Sequence, residues 1–127
     1  MQPIAVLYEH PEWFKQLFAE LERRGAPYVA LNAVDHIYDP DASDTPYALV
    51  VNRMSPSAWM RGQRDAIFHT LRYLEHLDDI GASTLNGATA FRYELSKAAQ
   101  YSLMARLGLR HPATRVLSRP DQALAAA

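Results

Sequence analysis

The stretch Tyr47-Ala48-Leu49-Val50-Val51 is an almost unbroken apolar run that stops abruptly at the polar pair Asn52-Arg53. Strands that are buried on both faces of a parallel sheet have such continuous runs, whereas strands with one solvated face alternate apolar and polar residues. Residues 47–51 therefore predict a buried parallel strand, with Asn52 and Arg53 just beyond its carboxyl end.

Strands and helices alternate along the chain with short connections, which predicts an α/β fold with right-handed crossovers. The predicted strands are short apolar runs, and the predicted helices have apolar residues at helical spacing. We therefore expect a Rossmann-like three-layer domain around a small, mainly parallel sheet. Before residue 90, the predicted strands are residues 3–8, 28–31, 47–51 and 82–85, and the predicted helices are residues 11–24 and 67–77.

A further helix is predicted after Ser96, whose hydroxyl can cap the free backbone amides of the first turn. Gly108 is the expected stop of this helix, since glycine readily takes the left-handed conformation that ends many helices. A short helix over residues 89–94 is expected to precede it. The residues expected on the inner face of the Ser96-capped helix are Ala99, Leu103, Met104 and Leu107.

The end of the chain is expected to form a strand at residues 115–118 and the beginning of a helix at residues 121–127. No glycine or proline follows as a stop signal, so the sequence predicts a helix that is interrupted in its course. We therefore expect one domain over residues 1–118, with residues 119–127 starting a helix that leads into a domain the chain lacks.

Charge and composition exclude several classes of partner. The formal net charge is −1 at pH 7, so the chain has no basic excess to attract nucleic acid or an anionic membrane. The absence of cysteine excludes disulfides, thiolate nucleophiles and zinc sites with cysteine ligands. No apolar run reaches the roughly 18 residues that a membrane-spanning helix needs. We expect a cytoplasmic protein that binds neither nucleic acid nor membrane.

Ligands of open α/β sheets collect beyond the carboxyl ends of the strands. There the sequence places Glu9-His10, the group around Asn52, and Asn86-Gly87. Arg53 could hold a carboxylate or phosphate through its planar guanidinium, and Asn52 and Ser55 could add neutral hydrogen bonds. We therefore predict substrate binding at Asn52, Arg53 and Ser55. The alternative, that Arg53 is merely solvated and Ser55 merely begins a turn, stays open.

Other patterns point away from function. The chain has neither a G-x-G-x-x-G motif nor a Walker-type lysine loop, which argues against a dinucleotide oxidoreductase. The acidic segment 39–44 lacks the glycine and glutamate of a calcium loop and predicts a solvated turn. His69 and His76 lie too far apart on one helix for a joint metal site. Trp13 and Trp59 are expected to be packing residues rather than stacking platforms.

Four motifs follow one another along the chain: the segment 52–57 (NRMSPS), Asn86-Gly87, the helix start Ser96-Lys97, and the segment 107–116 (LGLRHPATRV). This ordered set resembles the N-terminal portion of RimK-like ATP-grasp carboxylate–amine ligases. The resemblance is strongest over residues 47–116. It implies a pre-ATP-grasp type of Rossmann-like domain.

The resemblance also implies a reaction and a cofactor set. In that family, ATP and Mg²⁺ activate a carboxylate as an acyl phosphate, which an amine then attacks. The lysine that matches Lys97 reaches the phosphates of the nucleotide, so the resemblance makes Lys97 a nucleotide-binding residue. It places Asn52 and Arg53 on the acceptor or acyl-phosphate side. Small molecules and peptides are both expected as substrates.

The chain stops before the family's second ATP-binding lysine and its magnesium-binding residues. We therefore expect a fragment that is inactive alone, has no bound cofactor, and needs a C-terminal ATP-grasp domain as its partner. A docking patch left exposed could make the fragment a homo-oligomer. Two alternatives remain: a free-standing Rossmann-like binding or interaction module, and a small hydrolase or transferase, for which no nucleophile and base can be assembled.

Overall fold

Four parallel strands form the sheet of this protein, whose structure, a computed structural model, describes residues 2–126. The strands are β1 (Ile4–Tyr8), β2 (Tyr28–Asn32), β3 (Leu49–Asn52) and β4 (Thr84–Leu85). They lie in the order β2-β1-β3-β4, and every neighbouring pair is parallel. Together with the helices between the strands, this sheet confirms the predicted α/β, Rossmann-like fold class.

The helices begin and end close to the predicted positions, with one exception at the start of the first. The apolar pattern predicted a first helix from Pro11, but residues 11–14 form turns and α1 begins at Lys15. Phe14 explains the difference, because it is buried against Tyr8 at the end of β1 with the ring centroids 5.9 Å apart. The helices are α1 (Lys15–Arg23), a 3₁₀ helix (Pro56–Arg61), α2 (Arg64–Asp79), α3 (Ala88–Leu95), α4 (Lys97–Arg106), a short 3₁₀ turn (Pro120–Gln122) and α5 (Ala123–Ala126).

The chain divides into two compact units, Met1–Phe91 and Arg92–Ala127. The first unit contains the whole sheet, and its core is formed by the two central strands and the buried face of α2. β1 and β3 are the central strands of a parallel sheet, and both faces of such a sheet are covered. Their side chains on both faces are therefore mostly apolar. Fully buried side chains of this core include Val6, Leu7, Val50, Leu74, Leu77 and Phe91.

The second unit contains α4, and its cap is as predicted. The Ser96 hydroxyl accepts a hydrogen bond from the Ala99 amide at 3.2 Å, and Gly108 follows the helix with a φ of +66°. Leu107 was predicted to face inward but is 63% exposed, because it lies beyond the last helical turn. The predicted strand at residues 115–118 is also wrong: within residues 2–126 these residues have no strand partner for their backbone.

Two further expectations concern the domain boundary near the end of the chain and membrane-spanning helices. The domain boundary expected after residue 118, with a further domain following, stays a prediction, and the last residue of the helix expected at 121–127 lies outside the described residues. No helix within residues 2–126 combines the length and apolarity needed to cross a membrane.

The strand order places a topological switch point between β1 and β3. The chain leaves β1 for β2 on one side and then crosses to β3 and β4 on the other. Connections that diverge in this way open a crevice at the carboxyl ends of the two strands, where open α/β sheets bind their ligands. Glu9 follows β1 and Arg53 follows β3, so both residues lie at this crevice.

Candidate functional site

A partly buried ion pair lies just beyond the carboxyl end of β1. The Arg61 guanidinium donates to both carboxylate oxygens of Glu9, with Nη2 to Oε2 at 2.6 Å and Nε to Oε1 at 2.9 Å. The Glu9 side chain is only 5% exposed and that of Arg61 is 28% exposed. Hydrogen bonding to Glu9 raises the pKa of Arg61 further above its usual value. The bidentate contact ties the end of β1 to the 3₁₀ helix.

Two serines extend this network toward β3. Ser55 caps the 3₁₀ helix, since its hydroxyl accepts from the Ser57 amide, and Pro56 occupies the first position of that helix. The hydroxyls of Ser55 and Ser57 are 2.8 Å apart, and Arg61 Nη1 donates to the Ser57 hydroxyl at 3.2 Å. The predicted site residue Ser55 is thus the outer member of a chain of hydrogen bonds that begins at Glu9.

Asn52 is buried and connects the ends of β3 and β4 through its side-chain hydrogen bonds. Its side-chain oxygen accepts from the Met54 amide at 2.9 Å, and its side-chain nitrogen donates to the Asn86 carbonyl at 3.1 Å. Asn52 is only 2% exposed. The contact that was predicted between Asn52 and a substrate stays a prediction, and the observed hydrogen bonds hold the loop after β3 against the end of β4.

The end of β4 is shaped by Asn86-Gly87, the turn identified in the sequence. Asn86 has a φ of +58°, in the left-handed region that asparagine tolerates better than most residues. A Cβ atom at Gly87 would lie 2.5 Å from the Thr84 hydroxyl, so a larger residue here would force the Thr84 side chain to move. The turn therefore brings the Asn86 carbonyl within reach of Asn52.

Arg53 has a charged side chain that is free to bind a ligand. Its backbone amide donates to the Leu7 carbonyl at 2.8 Å, which continues the pairing of β1 and β3, while its side chain is exposed. The guanidinium lies 5.4 Å from the centroid of the Phe14 ring and has no carboxylate partner within residues 2–126. The surrounding groove is lined by Trp13, Phe14, Gln16, Leu17, Val51, Arg53, Leu85 and Asn86.

Trp13 has an exposed indole at the rim of the crevice. The ring stacks on His10 with centroids 4.1 Å apart and planes within 9°, and the Arg61 guanidinium lies 5.1 Å from its centroid. Trp13 is 56% exposed and Trp59 is 64% exposed, so the expectation that both are packing residues is wrong. The sequence did not reveal this because it predicted a helix from Pro11, whereas residues 11–14 form turns and Trp13 lies outside α1.

Lys97 lies in the second unit, at the first position of α4. Its ammonium is exposed and donates to the Gln100 side chain at 3.0 Å. A flexible, solvated ammonium of this kind fits the role of a single phosphate contact. Within residues 2–126 no three His, Asp or Glu side chains cluster closely enough to hold a metal ion between them.

Sequence reasoning placed Glu9, Asn52, Arg53 and Ser55 at this edge of the sheet but missed Arg61. Arg61 lies 52 residues from Glu9 along the chain and was part of the segment interpreted as a turn. No spacing signal links such distant residues. Its position on one turn of 3₁₀ helix after Ser55 could be identified only from the folded chain.

The fold has a counterpart among solved structures. It is similar to the crystal structure of the RimK domain protein ATP-grasp from Sphaerobacter thermophilus, with a TM-score of 0.70 and 18% sequence identity. The match covers 98% of this chain and 44% of that chain, so this chain spans less than half the length of that protein. No family model and no curated protein matches the sequence. At this level of sequence identity, the structural likeness shows a shared fold.

Proposed function

We propose that this chain is the N-terminal, substrate-side domain of a RimK-like ATP-grasp carboxylate–amine ligase. The observation that carries the proposal is the structural likeness to a RimK domain ATP-grasp protein along 98% of this chain. The ordered motifs between Asn52 and the segment 107–116 support it independently of the overall fold. The catalytic ATP-grasp part belongs to the remainder of the proposed enzyme, so the chain alone is not expected to catalyse ligation.

In this proposal the switch-point crevice binds the substrate. Arg53 offers a guanidinium to a carboxylate or an acyl phosphate, and the groove beside it is apolar at Leu17 and Leu85. Ser55 adds a hydroxyl at the same edge, and Asn52 positions the loop that carries Arg53. Glu9 and Arg61 keep this framework rigid, which holds the polar groups in place for a ligand.

The proposed cofactors are ATP and Mg²⁺. Bound ATP supplies the phosphoryl group that activates the carboxylate, and Lys97 would contribute one contact to its phosphates. The exposed apolar side chains of Trp59 and Met60, at 64% and 82% exposure, are consistent with a surface that an ATP-grasp domain covers. Self-association of the isolated chain through such a surface is part of the same proposal.

Reading the coding frame beyond codon 127 is the first test. A frame that continues into a lysine-bearing strand and a cluster of magnesium-type carboxylates and asparagines is the expected result. An immediate stop codon would instead favour a free-standing Rossmann-like binding module, the second candidate function.

The nucleotide role of Lys97 is tested in the intact protein by titration with ATP. Lys97→Ala should weaken ATP binding by about tenfold or more, since a hydrogen bond to a charged phosphate contributes about 1.5–3 kcal/mol. Lys15→Ala is the control, because Lys15 is also an exposed helix-start lysine and pairs with Glu12 instead. Equal ATP affinity in the Lys97→Ala and wild-type proteins would remove Lys97 from the site.

A further inference from the structure

A second cleft lies at the opposite, amino edge of the sheet. It is bounded by the loop that enters β3 and by the C-terminal half of α2, which precedes β4. Its volume of about 240 Å³ is smaller than the roughly 300–1,000 Å³ of sites for drug-sized ligands. The cleft therefore suits a small ligand, and it is separate from the Arg53 groove, whose residues follow the carboxyl ends of the strands. Its lining comprises His36, Ile37, Tyr38, Asp39, Ala42, Asp44, Thr45, Pro46, Tyr47, Tyr73, His76, Leu77 and Ile80.

Aromatic rings form much of the wall of this cleft. Tyr38 lies 5.0 Å from Tyr73 and 5.1 Å from His76, measured between ring centroids. His36 lies 4.4 Å from Tyr73, and Tyr47 lines the same cleft. The rings come from both α2 and the loop before β3 and pack against one another along the cleft. Clustered aromatic rings bind cations through the negative potential of their faces.

Outside its histidines, the lining carries charge of one sign. Asp39 and Asp44 are exposed at the cleft, and its lining contains neither lysine nor arginine. Burial lowers the pKa of His36 to about 4, and burial raises the pKa of Tyr73 to about 12, so both rings are neutral near pH 7. The two carboxylates therefore give the aromatic cleft a net negative charge, which favours a cationic ligand and opposes an anionic one.

We propose that this cleft binds a small organic cation, an alkylammonium ion whose methyl or methylene groups contact the rings of Tyr38 and Tyr47 while Asp44 attracts its charge. The aromatic walls select for an organic ammonium over a hydrated metal ion, because a strongly hydrated ion gains less from contact with carbon. Nothing in this site depends on the ligase function, so its test is separate from the tests of that function.

Choline and its neutral isostere 3,3-dimethylbutan-1-ol are the probes, titrated into the ¹⁵N-labelled chain at pH 7. Choline should shift the amide resonances of the loop around Tyr38 and of α2 near Tyr73. The neutral alcohol should bind with an affinity at least about fivefold lower, as determined from the same resonances. If neither probe shifts these resonances, or if both bind with equal affinity, the proposal is overturned.

Matched variants locate the binding. Tyr38→Leu and Asp44→Asn should each weaken choline binding about fivefold, whereas Tyr38→Phe keeps the ring and should bind like the wild type. Asp41→Asn is the control for charge, because Asp41 lies in the same exposed loop and does not line the cleft. Equal weakening by Asp41→Asn and Asp44→Asn would mean general charge attraction and would overturn the site. Asp44 is exposed, so its substitution tests the proposal even if Tyr38→Leu fails to fold.

Discussion

Glu9 and Arg61 show how single residues give the crevice its rigidity. A carboxylate that is 5% exposed is stable in its charged form only if its hydrogen-bonding partners stay in place. The bidentate contact with Arg61 supplies those partners from a helix that is distant in sequence. The rigidity of the site therefore depends on one long-range ion pair and on the serines that Arg61 also contacts.

Arg61→Ala should destabilise the protein markedly, because it leaves the Glu9 carboxylate buried without its cation. The comparison is Arg23→Ala, which removes an exposed pair with Glu20 whose side chains are 68% and 42% exposed. Thermal unfolding followed by circular dichroism should show a decrease in Tm several times larger for Arg61→Ala than for Arg23→Ala. Similar decreases for the two variants would contradict a structural role for the buried pair.

Arg53 is expected to act on binding and not on stability, since its side chain is exposed. In the intact enzyme, Arg53→Ala should raise the KM for the carboxylate-bearing substrate by about tenfold or more, because a hydrogen bond to a charged group contributes about 1.5–3 kcal/mol. Arg53→Lys should recover only part of the loss, since lysine cannot form the bidentate contact. A KM unchanged in Arg53→Ala, at normal Tm, would mean that the residue is merely solvated.

At the scale of elements, the loop between β2 and β3 is attached to α2 through a pair of histidines. His36 Nδ1 and His69 Nε2 are 3.0 Å apart, and His36 also packs against Tyr73. From the sequence, His69 and His76 were judged too far apart for a joint metal site, and the pairing of His69 with a loop residue was not foreseen. The hydrogen bond requires at least one neutral ring, since two imidazolium groups have no acceptor between them.

The His36–His69 pair predicts a pH dependence of stability. Burial, and then the nearby His69, lower the pKa of His36 from its usual 6.5 to about 4, so between these values the unfolded chain binds more protons than the folded chain. The free energy of unfolding should therefore fall as the pH decreases from 6.5 to about 4 and level off below that range, as far as His36 is concerned.

The measurement is the urea midpoint of the wild type and of His36→Phe from pH 7 down to pH 4. His36→Phe keeps an aromatic ring against Tyr73 but has no proton to bind, so its midpoint should fall less steeply with decreasing pH. Carboxylates that titrate in the same range affect both proteins and cancel in the difference. Parallel curves for the two proteins would contradict the lowered pKa of His36.

At the scale of the whole molecule, stability should depend on the core between the sheet and α2. Leu74 is fully buried there, and Leu74→Ala should lower the free energy of unfolding by about 2–5 kcal/mol, because it removes buried methyl groups and leaves a cavity. Leu124→Ala should have almost no effect, since Leu124 is 95% exposed. Urea denaturation measures both changes, and a small effect of Leu74→Ala would mean that this core packs loosely.

The elements of this fold are determined largely by the local sequence. Apolar runs such as the one ending at Asn52 are sufficient for buried strands, and Ser96 and Gly108 mark the ends of α4 by their own capping chemistry. Predictions from the sequence failed where contact with a residue distant along the chain determines the local structure. Phe14 packs into the core instead of joining the first helix, and residues 115–118 have no strand beside them within the described chain.

The sequence by itself determined the α/β class, most strand and helix positions, and the polar residues that follow β1 and β3. The tertiary structure alone decided the strand order, and with it which strand ends meet at the switch point. It also decided the partners of Glu9 and His36, which are 52 and 33 residues away along the chain. Backbone preferences act over a few residues and can be read locally, whereas contacts between distant residues exist only once the chain has packed.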